Sequence, residues 1–158
     1  MKNQSLLFTC FIDTLQETQK WALNIAAVLE QFDVIALKGD LGAGKTTFAR
    51  FLIQHLTSPH LDVPSPTFTL VQSYETQKGP LFHFDCYRLE NPFEAVEIGL
   101  EDAFTAGISV IEWPQKIDLF LPPSTLLLEF ETTPSRHLKI YGNPLWKERL
   151  TPFLWAEK

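Results

Sequence analysis

Cysteine is scarce in this chain. Cys10 and Cys86 are the only two in 158 residues. They form neither a Cys-x-x-Cys pair nor a metal-ligand spacing, which excludes a disulfide scaffold and a zinc ribbon. Buried, reduced thiols are expected, as in a cytoplasmic protein. Long apolar runs are also missing. The segment Leu6-Leu7-Phe8-Thr9-Cys10-Phe11-Ile12 follows Lys2 but is short, ends at Asp13 and lacks a small-residue cleavage site. It is expected to be a strand, not a signal peptide or a membrane span. A basic surplus is absent too: 13 Lys and Arg stand against 19 Asp and Glu, a net charge of −6. That balance excludes a protein that grips DNA or RNA by its overall charge. It leaves room for a local basic patch or a partner that binds RNA.

What is present begins with a composition of 45% hydrophobic and 20% charged residues, that of one globular domain spanning 1–158. The chain is organised around Gly39-Asp40-Leu41-Gly42-Ala43-Gly44-Lys45-Thr46. This matches G-x-x-x-x-G-K-[ST], a phosphate-binding P-loop. An apolar strand, Val34 to Leu37, precedes it, and a helical segment, Thr47 to Leu56, follows. Glycines let backbone N–H groups surround phosphate oxygens, and the helix start aims its positive dipole end at the same anion. Lys45 is expected at the β- and γ-phosphates, and the Thr46 hydroxyl on Mg²⁺. Gly39, Asp40, Leu41, Gly42, Ala43, Gly44, Lys45, Thr46 and Thr47 are therefore the nucleotide-binding candidates. The Asp40 carboxylate should point away from the phosphates.

Upstream, Thr14 and Glu17 form a capping box for a helix that should run to Phe32-Asp33. Thr14 is either only a cap or also a neighbour of the adenine. Downstream, Val63-Pro64-Ser65-Pro66-Thr67 is a stiff loop. Phe68 to Tyr74 and Leu81 to Tyr87 should form an antiparallel hairpin around Lys78-Gly79-Pro80. Short helices are expected over Phe93 to Ile98 and Leu100 to Thr105, then a buried strand from Ile108 to Glu112. Strands at Leu126 to Phe130 and Leu138 to Tyr141 follow. A last helix starts at Asn143-Pro144, bent or shortened by Pro152.

Hydrolysis requires more than a P-loop: an acid at the end of a neighbouring strand to hold the metal, and something to orient water. Glu112 and Asp85 are the two candidates, Glu112 ending the more apolar strand. Thr67 suits a switch residue that senses the γ-phosphate. Arg50 and Arg88 are candidates for stabilising phosphate charge. His83 alternates with Asp85 on one strand face, so the two are expected to share the site. Trp113, beside Glu112, is placed to report on the nucleotide. The residues leave three chemistries open: an ATPase, a small-molecule kinase, and a non-hydrolysing switch. No arginine-rich lid favours the kinase, and no N-K-x-D motif favours a GTPase.

Four ordered blocks, GDLGAGKTT (Gly39 to Thr47), SPTFTL (Ser65 to Leu70), HFDCYRL (His83 to Leu89) and IEWP (Ile111 to Pro114), resemble the TsaE (YjeE) family of small bacterial P-loop ATPases. The resemblance runs from about Leu6 to Pro114. It implies a P-loop NTPase-like α/β fold, a mostly parallel sheet flanked by helices with antiparallel edge strands. It also implies an ATPase subunit for making N6-threonylcarbamoyladenosine next to the anticodon of tRNAs that read codons beginning with A. The implied cofactors are ATP and Mg²⁺. The implied partners are the TsaD and TsaB proteins, with tRNA reached through that complex and no contact to DNA or membrane. By the resemblance Lys45 and Thr46 are the phosphate and Mg²⁺ residues. Glu112 and Asp85 are acids of the metal and catalytic site, Thr67 a switch position, and Trp113 an active-site neighbour.

Overall fold

The computed structural model describes residues 4–155. In chain order the elements are β1 (Ser5–Phe11), α1 (Leu15–Val28), β2 (Val34–Gly39), α2 (Lys45–Leu56), β3 (Val71–Thr76) and β4 (Gly79–Asp85). There follow α3 (Phe93–Glu97), α4 (Leu100–Ala106), β5 (Ile108–Glu112), a 3-10 helix (Pro114–Phe120), β6 (Leu126–Glu131), β7 (His137–Gly142) and α5 (Pro144–Trp155). The strands form one sheet in the order β1-β7-β6-β2-β5-β4-β3. The four central strands β6, β2, β5 and β4 are parallel, and the outer pairs β1–β7, β7–β6 and β4–β3 are antiparallel. This is the α/β arrangement the sequence predicts.

The central strands are apolar on both faces because helices cover both faces. All five residues of β5 are buried, as are Val34 to Leu37 of β2. On one side Ile35, Leu37, Val110 and Leu128 pack with Trp21, Phe48, Leu52 and Trp146 from α1, α2 and α5. On the other, Val34, Phe84 and Ile111 pack with Ala95, Leu100, Ala103 and Ile117 from α3, α4 and the 3-10 helix. Parallel register brings Leu37, Glu112 and Asp85 level, since Leu37 pairs with Glu112 and Asp85 with Glu112. The carboxyl ends of three strands thus meet at the P-loop, where ligands of open α/β sheets bind.

Several boundaries differ from the sequence expectation. The Thr14–Glu17 capping box is present, but α1 stops at Val28, short of Phe32-Asp33. Lys78 Nζ donates to the Ala26, Ala27 and Leu29 carbonyls, taking up the last acceptors of the helix. Phe68 to Leu70 is a turn rather than strand: Leu70 N–H donates to the Pro66 carbonyl at 2.7 Å and Leu70 has φ 69°. The hairpin forms, with its turn at Gln77-Lys78 and Pro80 already in β4. The 3-10 helix after Trp113 has no counterpart in the sequence expectation. The last helix runs past Pro152 to Trp155. Cys10 and Cys86 are both buried thiols. No helix among the described residues is long and apolar enough to cross a membrane.

Candidate functional site

Between β2 and α2 the chain turns through two left-handed glycines, Gly42 at φ 78° and Gly44 at φ 110°. A side chain is strained at such angles, so glycine is required at both. Gly44 is the N-cap of α2, and no side chain caps the first turn. The free N–H groups and the dipole there suit an anion.

A cavity of about 280 Å³ opens above this turn, walled by Leu41, Lys45, Thr46, Thr67, Asp85, Glu112 and Trp113, among others. Lys45 is 5% exposed. Its ammonium donates to the Gly39 and Asp40 carbonyls and lies 4.2 Å from the centre of the Trp113 ring. Burial pushes the Lys45 ammonium below the ordinary lysine range, and the charges of Glu112, Asp85 and Asp40, in that order, oppose the shift. The Asp40 side chain is exposed and is not part of the cavity wall, in keeping with the expectation that it points away.

The two acids are held differently. Thr46 Oγ1 donates to Glu112 Oε1 at 2.7 Å, and His83 Nε2 meets Glu112 Oε2 at 2.6 Å. Asp85 accepts from Thr67 Oγ1 at 2.8 Å and from the Tyr87 N–H at 3.0 Å. Thr67 in turn shares a 2.7 Å hydrogen bond with Ser65. Glu112 is thus tied to the P-loop helix, and Asp85 to the proline-rich loop. His83 shares a strand face with Asp85, as expected, and its hydrogen bond is to Glu112. No three His, Cys, Asp or Glu side chains cluster as a ready metal site among the described residues. Adjacent hydroxyl and carboxylate oxygens fit Mg²⁺, a hard cation that is commonly held by one or two carboxylates plus substrate phosphates and waters.

Behind the P-loop lies a second cavity of about 320 Å³, lined by Thr14, Leu15, Thr18, Gly44, Thr47 and Arg136, among others. Thr14 caps α1 and also lines this space. Arg136 precedes β7 and reaches back to the P-loop, where its Nη1 donates to the Gly42 and Ala43 carbonyls at 3.3 and 3.4 Å. Its own N–H donates to Asp13. Sequence reasoning missed Arg136, and only the ordering of the β6–β7 hairpin beside β2 brings it here. Arg50 and Arg88, the sequence candidates, are elsewhere: Arg50 donates to the Val63 carbonyl, and Arg88 lies over the exposed Phe68 ring. Neither is among the residues lining either cavity.

Tyr87 also lines the first cavity and packs on Trp113 with ring centres 4.9 Å apart. Trp113 itself has left-handed backbone angles, φ 59° and ψ 52°. Such strain in a large residue costs about 1–3 kcal/mol and tends to be kept where it serves a site. Here it turns the chain out of β5 so that the indole lies over Lys45.

A family model described as threonylcarbamoyl adenosine biosynthesis protein TsaE matches residues 12–139. The match extends beyond Pro114, after which the resemblance read from the motifs is weak, into β7. A Rickettsia felis protein named tRNA threonylcarbamoyladenosine biosynthesis protein TsaE is 40% identical over 116 residues, 73% of this chain and 68% of that protein. An Aquifex aeolicus protein of the same name is 38% identical over 136 residues, 85% of this chain and 95% of that one. The crystal structure of Bacillus subtilis YdiB superposes with a TM-score of 0.71 at 27% identity, covering 99% of this chain and 97% of its own. With the P-loop, the Thr46–Glu112 pair and the Thr67–Asp85 pair in one cleft, the chain belongs to the TsaE family of threonylcarbamoyl adenosine biosynthesis proteins.

Proposed function

We propose that this single domain, 1–158, is a cytoplasmic Mg²⁺-dependent ATPase subunit that serves N6-threonylcarbamoyladenosine formation in tRNA. In this proposal it acts with TsaD and TsaB and reaches tRNA through them. The observation that carries the ATPase reading is the 2.7 Å bond between Thr46 and Glu112, beside Lys45 at the uncapped start of α2. It joins a hydroxyl and a carboxylate, side chains that would hold a metal near bound phosphates.

The roles follow from position. Gly39 to Thr47 cradle the phosphates with backbone N–H groups, and Lys45 exchanges its carbonyl partners for phosphate oxygens. Thr46 and Glu112 would hold the metal, with Asp85 next to Glu112 on the neighbouring strand. Mg²⁺, when bound, neutralises charge on the phosphate oxygens. Thr67, tied to Asp85, senses whether a γ-phosphate is present and passes that to the Pro64–Thr67 loop. The cavity at Thr14 and Arg136 takes the nucleoside. The lack of an arginine lining the phosphate cavity among the described residues favours slow turnover alone. Such a charge contributes roughly 10³–10⁵ in rate when a partner supplies it. Phosphate released to water, with no phosphorylated acceptor, is the expected product. A phosphorylated small molecule would overturn the ATPase reading in favour of a kinase, and Mg²⁺-ATP binding without turnover under any condition would favour a switch.

A further inference from the structure

His83 is fully buried in β4, 0% exposed. Its Nδ1 has no hydrogen-bond partner among the described residues, and Nε2 meets Glu112 Oε2 at 2.6 Å. An imidazole is costly in so dry a place unless its one polar contact matters. The register explains how that contact arises. His83 pairs with Val110 of β5, and Val110 and Glu112 point to the same face, so His83 lies diagonally across from Glu112. Directly across from Glu112 is Asp85. Two carboxylates in register on neighbouring strands repel, and each needs its own anchor. Asp85 has Thr67 and the Tyr87 N–H. Glu112 has Thr46 on one oxygen and His83 on the other.

We infer that His83 is a positioning residue: its Nε2–H fixes Glu112 Oε2, so that Oε1 stays directed at Thr46 and the metal position. This rests on the Mg²⁺-ATP reading above. Groups that orient a metal-holding side chain typically set metal affinity by about 10–100-fold, without touching the ligand. His83 lines neither of the two cavities described above, so it acts only through Glu112.

The test compares ATP affinity in excess EDTA with the Mg²⁺ concentration that half-saturates the gain in affinity, by calorimetry on the full chain. Three variants separate positioning from packing. His83→Leu removes the donor, His83→Gln offers an amide N–H near the Nε2 position, and His83→Asn carries an amide too short to reach. The expected result is unchanged EDTA affinity, within about twofold, in all three. The half-saturating Mg²⁺ concentration should rise about tenfold in His83→Leu and His83→Asn and recover in His83→Gln. Should His83→Leu fail to fold, the Gln and Asn pair carries the same comparison. Equal Mg²⁺ response in Gln and Asn, or losses in EDTA as large as those in Mg²⁺, would overturn the inference and leave a packing residue. If the parent chain bound no ATP, the nucleotide reading itself would fall; a parent that binds Mg²⁺-ATP beside unaffected variants would sink the His83 role alone.

Discussion

The Lys45 ammonium lies 4.2 Å from the centre of the Trp113 ring, a cation–π contact inside the phosphate cavity. On the proposed reading, a bound nucleotide would draw that ammonium toward phosphate oxygens and change the field at the indole. Binding should therefore alter tryptophan fluorescence, and Trp113→Phe should remove most of the change. Trp21 is buried against α2 and the sheet, and Trp146 Nε1 donates to the Ser124 carbonyl, so neither meets the nucleotide. Retention of the full signal in Trp113→Phe would count against this placement.

Lys45 also sets a pH dependence. In the protein without ligand, burial lowers its pKa from the ordinary 10.5, and the negative charge of a bound phosphate would raise it again. The group binds its proton more tightly in the complex. ATP affinity should thus be full below the lowered value and weaken as pH rises through it, with proton uptake on binding over that range. Calorimetry in buffers of different ionisation heat measures the uptake. Lys45→Ala should abolish productive binding while the fold persists; parent-like ATP hydrolysis by that variant would contradict the P-loop role.

The two acids should separate in a metal titration. Glu112→Gln should weaken Mg²⁺-dependent ATP binding more than Asp85→Asn, because Glu112 is the acid bonded to Thr46. Asp85→Asn should chiefly uncouple Thr67, its partner at 2.8 Å, and lower turnover with little loss of binding. The reverse order would exchange the two roles.

Cys86 gives a stability test independent of nucleotide. Burial, then the charges of Asp85 and Glu112, push its thiol up to about 12 from 9.0. The folded state keeps the proton that the unfolded chain gives up. This contribution to stability is present below about pH 9 and is lost progressively as pH rises toward about 12. Denaturant titrations at pH 8 and pH 10 should show a smaller loss in Cys86→Ala than in the parent. Thiol labelling of the native protein at pH 8 should be slow; rapid labelling of Cys86 would contradict its burial.

Much of the fold was legible because its signals are local. The P-loop, the Thr14–Glu17 box and the apolar run into Glu112 each carry their cue within a few residues. The segment Phe68 to Leu70 was misread because its apolar and β-prone residues suit a strand. A left-handed Leu70 bonded to Pro66 can be seen only once the loop is folded onto Asp85. Alternation along β4 put His83 and Asp85 on one face correctly. Which acid His83 meets depended on the β4–β5 register, which one strand does not encode. Arg136 was out of reach for the same reason: it is remote from the P-loop in sequence, and only the sheet order returns it there.

The most direct test of the central claim is phosphate release from ATP by the purified chain, alone, with tRNA, and with TsaD and TsaB, each with Mg²⁺ and with EDTA. Slow, Mg²⁺-dependent release by the chain alone is expected, with no acceleration by tRNA alone and a clear rise with the TsaD–TsaB pair. Fast release by the lone chain that the pair leaves unchanged, or release that survives EDTA, would contradict the claim.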